Sequence, residues 1–179
     1  LEQIESPAAL ALQFLILTVA RTHEVLGMRR TEWDPASTLW QVPRERMKAR
    51  VPHRVPLSTE ATALLRLRLS GHNQDWVFPG QRRDRPLSNM SMLNLMRRHF
   101  PKLSATPHGF RTTFRVWASE RNAFDPQAVE FCLAHRLPDR AQAAYLRTDL
   151  LDKRRAIMQS WADFALSFNA RNPRKGLTN

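Results

Sequence analysis

The chain has 179 residues and is 42% hydrophobic, enough for one domain with its own core. Its formal net charge of +12 favours polyanionic partners, nucleic acid before an anionic membrane surface. No apolar run reaches the ~20 residues that span a bilayer and no signal peptide is visible, so we expect no membrane partner. The single cysteine, Cys132, excludes an internal disulfide framework and favours a cytoplasmic location.

The first third of the chain is predicted to form one buried helix and then a small sheet. Ser6 is a candidate N-cap before Pro7, and residues 10–20 are apolar enough for a buried helix. After Met28 the pattern changes to short, extended stretches interrupted by prolines, which predict antiparallel strands. The predicted strands are Trp33–Asp34, Leu39–Val42 and His53–Leu57. Residues 43–50, between the last two strands, are predicted to form a basic hairpin tip.

The rest of the chain is predicted to be mainly helical, which places the protein in the α+β class with a small three-stranded antiparallel sheet. The predicted helices are Thr59–Leu69, Ser88–Phe100, Pro107–Glu120, Pro126–Ala134, Arg140–Leu146 and Leu150–Phe168. Residues 73–85, which contain Pro79-Gly80, are predicted to be a loop. The residues after 169 are polar and basic and are expected to be loose.

The only tyrosine, Tyr145, follows His135 by ten residues. A tyrosine hydroxyl has a pKa of ~10, so it attacks a phosphate only if its proton is taken and the charge of the transition state is neutralised. Taken alone, Tyr145 would most often be a packing residue. Together with the arginines, histidines and lysine described below, it completes the groups needed to cut a DNA phosphodiester.

One predicted helix carries a candidate phosphate-binding pair. At about 100° per residue, His108, Arg111 and Arg115 lie within roughly a 60° sector of helix 107–120, opposite an aromatic side. The aromatic residues are Phe110, Phe114 and Trp117. His108 is at the helix start, where unpaired backbone N–H groups and the helix dipole favour a phosphate. We interpret Arg115 as a solvated surface charge.

The candidate cations of the first third are more ambiguous. Arg21 is predicted to end the apolar helix, and Glu24 follows at a spacing that suits an ion pair, which a purely structural role explains equally well. Lys48 lies in the hairpin tip, where it is either an exposed surface charge or a proton donor to a departing 5′ oxygen. Cys132 and His135 are spaced like half a metal site, but no second cysteine exists, so we expect neither a metal nor a cofactor.

Several stretches resemble, in order and spacing, the sequence boxes of the tyrosine recombinases. They are Arg21–Met28 for the first arginine box, Glu45–Lys48 with His53–Ser58 for the lysine hairpin, and then His108–Phe114, Leu133–His135 and Ala144–Asp149. The last box, continued through residues 154–163, is most similar to integrases of temperate phages and genomic islands. One departure is Ala134, where the family commonly has glycine before the second histidine, and this bears on the local backbone geometry.

The resemblance implies six catalytic residues: Arg21, Lys48, His108, Arg111, His135 and Tyr145. Tyr145 would attack the scissile phosphate and form a 3′-phosphotyrosyl bond, and Lys48 would protonate the leaving 5′ oxygen. The two arginines would clamp the non-bridging oxygens, and His135 would orient the phosphate. His108 would hydrogen-bond the same phosphate and is a candidate acceptor of the tyrosine proton. Glu24 would support Arg21 from behind.

The resemblance also implies the domain organisation and the partners. Residues 1–170 would form a catalytic domain of the DNA breaking-rejoining fold, and residues 171–179 a basic tail. Because the chain starts at Leu1 without an initiator methionine, we expect a core-binding domain upstream that this fragment lacks. The partners would be double-stranded DNA attachment sites and three further copies of the chain, forming a homo-tetramer on two duplexes.

Three questions stay open at this point. A type IB topoisomerase would use similar chemistry without exchanging strands, although the integrase-like stretch around Tyr145 argues against it. A DNA-binding module without catalysis would need only the positive charge. The apolar stripe of the last helix could dock in a neighbouring protomer, as in the family, or pack on its own domain. The stripe consists of Leu150, Ile157, Trp161, Phe164 and Phe168.

Overall fold

The computed structural model describes residues 1, 4, 6–70, 74–82, 84–121, 123–135 and 149–171, with side chains up to residue 167 in the last helix. The helices in these ranges are α1 (Pro7–Thr18), α2 (Thr22–Leu26), α3 (Thr59–Leu69), α4 (Ser91–His99), α5 (Gly109–Ser119), α6 (Pro126–Cys132) and α7 (Leu151–Arg171). The strands are β1 (Trp33–Asp34), β2 (Leu39–Val42) and β3 (His53–Pro56). The predicted class, mainly helical with a small three-stranded sheet, is confirmed.

Side-chain caps explain where several helices begin. The Ser6 hydroxyl accepts a hydrogen bond from the Ala9 N–H at 3.1 Å, and Ser58 accepts one from Ala61 at 3.2 Å. The Asp125 carboxylate accepts from the Gln127 N–H at 2.9 Å, before a proline at the first position of α6. Such caps satisfy N–H groups that have no partner within the helix.

The strands form one antiparallel sheet in the order β1–β2–β3. Trp40 in the central strand lies opposite both Trp33 and Val55. The hairpin tip between β2 and β3 contains a 3₁₀ turn over Arg44–Arg46. It is closed by a hydrogen bond from the Arg50 N–H to the Met47 carbonyl at 3.0 Å, with Arg50 at φ 55°.

Several element boundaries differ from the predictions. Helix α1 ends at Thr18 because Val19 turns into the left-handed region at φ 48°. The prediction that Arg21 ends this helix is therefore wrong, since Arg21 is the residue that precedes α2. Helix α6 ends at Cys132, two residues before its predicted end, and Ala134 has φ 51°. The predicted helix Arg140–Leu146 lies outside the described residues.

Two further regions differ from the predictions. Helix α4 starts three residues after the predicted start at Ser88, whose hydroxyl instead hydrogen-bonds that of Ser91. The predicted loop 73–85 contributes two isolated β-bridges, one between Arg29 and Trp76 and one between Pro79 and Pro86. No helix in the described ranges is both long and apolar enough to cross a bilayer.

Within the described ranges, buried hydrophobic residues form two clusters. The first joins α1, α3, α4 and the sheet, and in it the ring of Phe14 contacts those of Trp40 and Phe78 at centroid distances of 5.4 and 5.7 Å. The second cluster joins α5, α6 and α7 and is built around Phe114, Trp117 and Trp161. The Trp161 indole N–H also donates to the Ile16 carbonyl of α1 at 2.7 Å, so one residue connects both clusters.

The apolar stripe of α7 packs on this chain's own core. Ile157 and Trp161 are each 2% exposed, and Phe164 packs against the second cluster. Among the residues with described side chains, the stripe therefore packs on its own domain, which was one of the two alternatives left open by the sequence. The Phe168 side chain lies outside the described part.

A matched pair on α3 tests the assignment of the first cluster. Leu65 is fully buried and Leu67 is 70% exposed on the same helix. Leu65→Ala should lower the free energy of unfolding by about 2–5 kcal/mol, because it removes buried methyl groups and leaves a cavity. Leu67→Ala should change it by less than about 0.5 kcal/mol. Urea denaturation of both variants measures the difference, and similar values would contradict the described packing of α3.

Candidate active site

Arg21 is fixed by a buried carboxylate. It lies in extended conformation between α1 and α2, and Glu24 is on the first turn of α2. The Glu24 carboxylate accepts hydrogen bonds from the Arg21 backbone N–H and from Arg21 Nη1, both at 2.8 Å. Glu24 is 1% exposed, whereas the Arg21 side chain is 21% exposed. The ion pair expected from their spacing is present, and it holds Arg21 at the surface of a cleft.

The cleft brings together three of the predicted catalytic residues. It has a volume of about 410 Å³ and is lined by Arg21, Met47, Lys48, Ala49, Ala134 and His135. Lys48 comes from the hairpin tip and is exposed, while Met47 beside it is buried in the first cluster. Residues from three distant parts of the sequence therefore converge in one cationic cleft.

Arg111 is buried, whereas Arg115, predicted in the same sector of the helix, is exposed, as expected for a surface charge. Only 5% of Arg111 is exposed, and its guanidinium donates to the Val19 carbonyl and, at 2.7 Å, to the Leu133 carbonyl. Nη2 of Arg111 also lies 3.4 Å from Nε2 of His135. Burial and the charge of Arg21 lower the pKa of Arg111 to about 10, so Arg111 is still protonated at neutral pH. Through His135, Arg111 adjoins the cleft. Among the described residues, no carboxylate lies within hydrogen-bond distance of its guanidinium.

His135 is oriented by an acid that the sequence analysis did not identify. Nδ1 of His135 lies 2.6 Å from Oε2 of Glu130, whose other oxygen accepts from Arg115 Nε at 2.8 Å. Burial raises the pKa of Glu130, but the hydrogen bonds from His135 and Arg115 outweigh it and the pKa is lowered. A spacing of five residues does not match the usual helical pairs, so no periodicity indicates this contact. It forms because α6 ends and the chain turns back at Ala134.

His108 is exposed at the residue before α5, one turn ahead of Arg111. Its carbonyl accepts from the Arg111 N–H at 3.1 Å. Within the described residues, it is not among the side chains that line the cleft. The structure thus places His108 directly before the helix of Arg111 and outside the described lining of the cleft.

His53, the first residue of β3, was given no role from the sequence and has a strongly lowered pKa. Burial, followed by the charges of Arg154 and Arg21, lowers the pKa of this half-buried imidazole to about 3. The charge of Arg111 acts in the same direction and that of Asp149 against it. His53 is therefore a neutral group within the field of the site's arginines.

Asp149, which follows Tyr145 by four residues, is bound by two arginines. Arg54 on β3 donates to both oxygens of Asp149, at 2.9 and 2.6 Å. Arg154, 1% exposed on α7, donates to the Arg54 carbonyl and, at 3.3 Å, to the Asp149 carbonyl. Tyr145 itself lies outside the described residues, so its place relative to the cleft stays a prediction. Residue 149 is fixed to the strand that follows the lysine hairpin.

The backbone at Ala134 generates a test of local strain. Ala134, at the position where the resembled family commonly has glycine, has φ 51°. A residue with a Cβ in this conformation costs about 1–3 kcal/mol. Ala134→Gly should therefore raise the free energy of unfolding by about 1 kcal/mol. The matched control is Ala118→Gly within α5, which should lower it by about 1 kcal/mol or more. Urea denaturation measures both changes, provided that the dependence of the unfolding free energy on urea concentration is the same in all three proteins. If Ala134→Gly is less stable than wild type, Ala134 is not strained.

The depressed pKa of His53 predicts acid destabilisation. In the unfolded chain His53 protonates near its ordinary pKa of 6.5, whereas the folded chain keeps it neutral down to about 3. Stability should therefore fall as the pH decreases from 6.5 towards 3, by about 1–2 kcal/mol over the first 1.5 units. His53→Gln should remove this loss in urea denaturation at about pH 6.5 and about pH 5. Parallel losses in both proteins would assign the acid sensitivity to other groups.

Comparison with known proteins identifies relatives across most of the chain. Residues 2–150 match the model of the Phage integrase family. The chain is 42% identical over 168 residues to prophage integrase IntZ of Escherichia coli (strain K12), covering 90% of this chain and 40% of that protein. It is 31% identical over 172 residues to the integrase of Enterobacteria phage P4, covering 87% of this chain and 39% of that protein. The chain thus spans about two-fifths of these relatives' length.

A solved structure shares the fold. The crystal structure of XerA recombinase matches with a TM-score of 0.54 and 18% identity, over 96% of this chain and 65% of that one. At this identity the match shows the fold alone. The family model covers most of the chain, and the integrase relatives match over 87–90% of it. The chain belongs to the phage integrase family of tyrosine recombinases.

Proposed function

We propose that this chain is the catalytic part of a site-specific recombinase that integrates and excises the DNA of a prophage or genomic island. The observation that carries the proposal is the convergence of Arg21, Lys48 and His135 on one cleft, with Arg111 beside His135. Three cationic or imidazole groups around a small open cleft suit one phosphodiester of a DNA backbone. Membership of the phage integrase family supports the same reaction.

The proposed reaction is a transesterification that conserves bond energy. The Tyr145 hydroxyl attacks the scissile phosphorus and forms a 3′-phosphotyrosyl bond, while the bond to the 5′ oxygen breaks. His108 takes the tyrosine proton, and Lys48 gives a proton to the departing oxygen. Because Lys48 is exposed in the free chain, bound DNA would have to cover it during this step. Reversal with a new 5′ hydroxyl rejoins the strand without ATP or a metal.

The buried arginine supports this assignment on physical grounds. Arg111 is oriented by the carbonyls of Val19 and Leu133 before any substrate arrives. Arg21 is oriented in the same way by Glu24. Cations fixed in advance need little reorganisation when charge builds on the pentavalent phosphorus, so they stabilise the transition state more than flexible side chains do.

The partners follow from the same proposal. The charge of +12 favours double-stranded DNA, and the attachment sites would be the specific substrates. Strand exchange between two duplexes would use four copies of the chain, each with one Tyr145. We place the reaction in the cytoplasm, where the DNA of a bacterial host lies, and expect the complete protein to add a core-binding domain.

Covalent capture tests the nucleophile. The full-length protein is incubated with nicked suicide duplexes whose core is randomised, and strands that stay attached to denatured protein are sequenced. Wild-type protein should yield a defined core sequence. Tyr145→Phe should give no adduct with that duplex, and its DNA affinity should change little because the hydroxyl contributes little to phosphate attraction.

The outcomes separate the alternative functions. An adduct at wild-type yield in Tyr145→Phe would remove this residue from the mechanism. If the protein forms adducts and relaxes supercoiled DNA but never exchanges strands, its activity is topoisomerase-like. DNA binding without any wild-type adduct would indicate a non-catalytic DNA-binding module.

A further inference from the structure

Arg46 joins the base of the hairpin tip to helix α2. Its Nη1 donates to the Glu24 carbonyl at 3.1 Å, and its Nη2 pairs with Oε2 of Glu32. The Arg46 carbonyl lies 3.3 Å from Nε2 of His23, the neighbour of Glu24 on α2. Both the side chain and the backbone of Arg46 are therefore tied to the short helix that follows Arg21.

The missing side chain of Gly27 makes this contact possible. A Cβ added at Gly27 would lie 2.6 Å from Nη1 and 3.1 Å from Cδ of Arg46, so the end of the Arg46 side chain would have to move. The same Cβ would lie 3.0 Å from the His23 carbonyl oxygen, a contact that a shift of a few tenths of an ångström relieves. Gly27 has φ −84°, which any residue can adopt, so its backbone does not require glycine. The space that it leaves above α2 is filled by the Arg46 guanidinium.

Glu24 is the common support of two cationic side chains. Its carboxylate holds Arg21, and its carbonyl holds Arg46. Lys48 follows Arg46 by two residues, and the residue between them, Met47, is 4% exposed in the first cluster. Arg21 is thus connected to the hairpin tip of Lys48 by the hydrogen bonds of Glu24 and Arg46 and by the buried Met47 side chain.

The Arg46 guanidinium is occupied by protein groups instead of facing the cleft. Its Glu32 partner also accepts from the Trp40 indole N–H at 3.0 Å. Burial lowers the pKa of Arg46 and raises that of Glu32, and each charge opposes the shift of the other. Arg46 is not among the residues that line the cleft in the described part of the chain.

We infer that Arg46 is a positioning residue for Lys48, holding the hairpin tip so that the lysine ammonium stays beside Arg21 in the cleft. The inference rests on the proposed function, in which Lys48 is the acid that protonates the leaving oxygen. Arg46 touches neither the phosphate nor the leaving group. A displacement of about 1 Å in a proton donor can cost about 100-fold in rate, which sets the expected size of the effect.

The test compares two suicide duplexes with the core sequence found by covalent capture. One has the ordinary bridging 5′ oxygen, and the other has sulfur there, a leaving group that needs no proton. Lys48→Ala is the reference. It should lose cleavage of the oxygen duplex and cleave the sulfur duplex at nearly the wild-type rate. Arg46→Met keeps the apolar stem and should lose about 100-fold on oxygen while retaining sulfur cleavage. Arg44→Met is the matched control, since Arg44 is 71% exposed and pairs with the adjacent Glu45.

Two further variants exclude a trivial folding defect. Arg46→Met alone leaves the half-buried Glu32 carboxylate without its cationic partner. The double variant Arg46→Met with Glu32→Gln removes that charge, and it should still cleave the sulfur duplex in preference to the oxygen duplex. Gly27→Ala should displace the flexible end of Arg46 without unfolding α2, and again cleave sulfur selectively. Because Gly27→Ala acts through Arg46, it should add little in the Arg46→Met background.

The outcomes separate this inference from the proposed function. If sulfur does not rescue Lys48→Ala, the acid assignment in the proposed function fails. If sulfur rescues Lys48→Ala but Arg46→Met loses cleavage equally on both duplexes, or loses none, the inference about Arg46 is overturned.

Amide hydrogen exchange tests, without any cleavage assay, whether Arg46 holds the hairpin tip in place. The probe is the Arg50 amide, which donates to the Met47 carbonyl in the hairpin tip. In the full-length protein, this amide should exchange several-fold faster in Arg46→Met and Gly27→Ala than in wild type or Arg44→Met. An unchanged exchange rate in both variants would show that Arg46 does not hold the hairpin, whatever the cleavage assay gives.

Discussion

The candidate site depends on one buried carboxylate. Glu24 is nearly inaccessible to water, and ionised carboxylates are found in such places only when they are paired and hydrogen-bonded. Its two oxygens are bound by Arg21, through both the backbone and the guanidinium. Because α2 is only five residues long, this pairing also determines where the helix starts. Arg21, which immediately precedes that turn, is thereby fixed at the edge of the cleft.

Arg111 is held in a different way. Its guanidinium is bound by the backbone carbonyls of Val19 and Leu133, whereas buried Arg154 is bound by the carbonyls of Arg54 and Asp149 and also by the Asp149 carboxylate. Carbonyl dipoles orient a guanidinium without neutralising it. A buried arginine held by a carboxylate would have its charge cancelled, whereas Arg111 keeps its charge for a ligand.

The sequence predicted the sheet and most helices because these depend on local patterns. The strands between Trp33 and Pro56 are short, bounded by turns and separated by a basic tip, and the structure has them nearly as expected. The contacts of Arg111 were not predictable, since Val19 lies 92 residues away in the chain. The pairing of Glu130 with His135 was missed because it depends on a turn outside helical periodicity. The support of Lys48 by Arg46 needed the three-dimensional position of Gly27.

Left-handed backbone occurs at both turns whose carbonyls hold Arg111. Val19 and Ala134 have positive φ without being glycine, and the carbonyls of Val19 and of Leu133, the residue before Ala134, accept from the Arg111 guanidinium. For a β-branched residue such as Val19 this conformation is a marked outlier, sustained only by the surrounding contacts. The site therefore embodies a trade-off between stability and function. Selection for thermal resistance alone would favour glycine at these positions and make the site's geometry less defined.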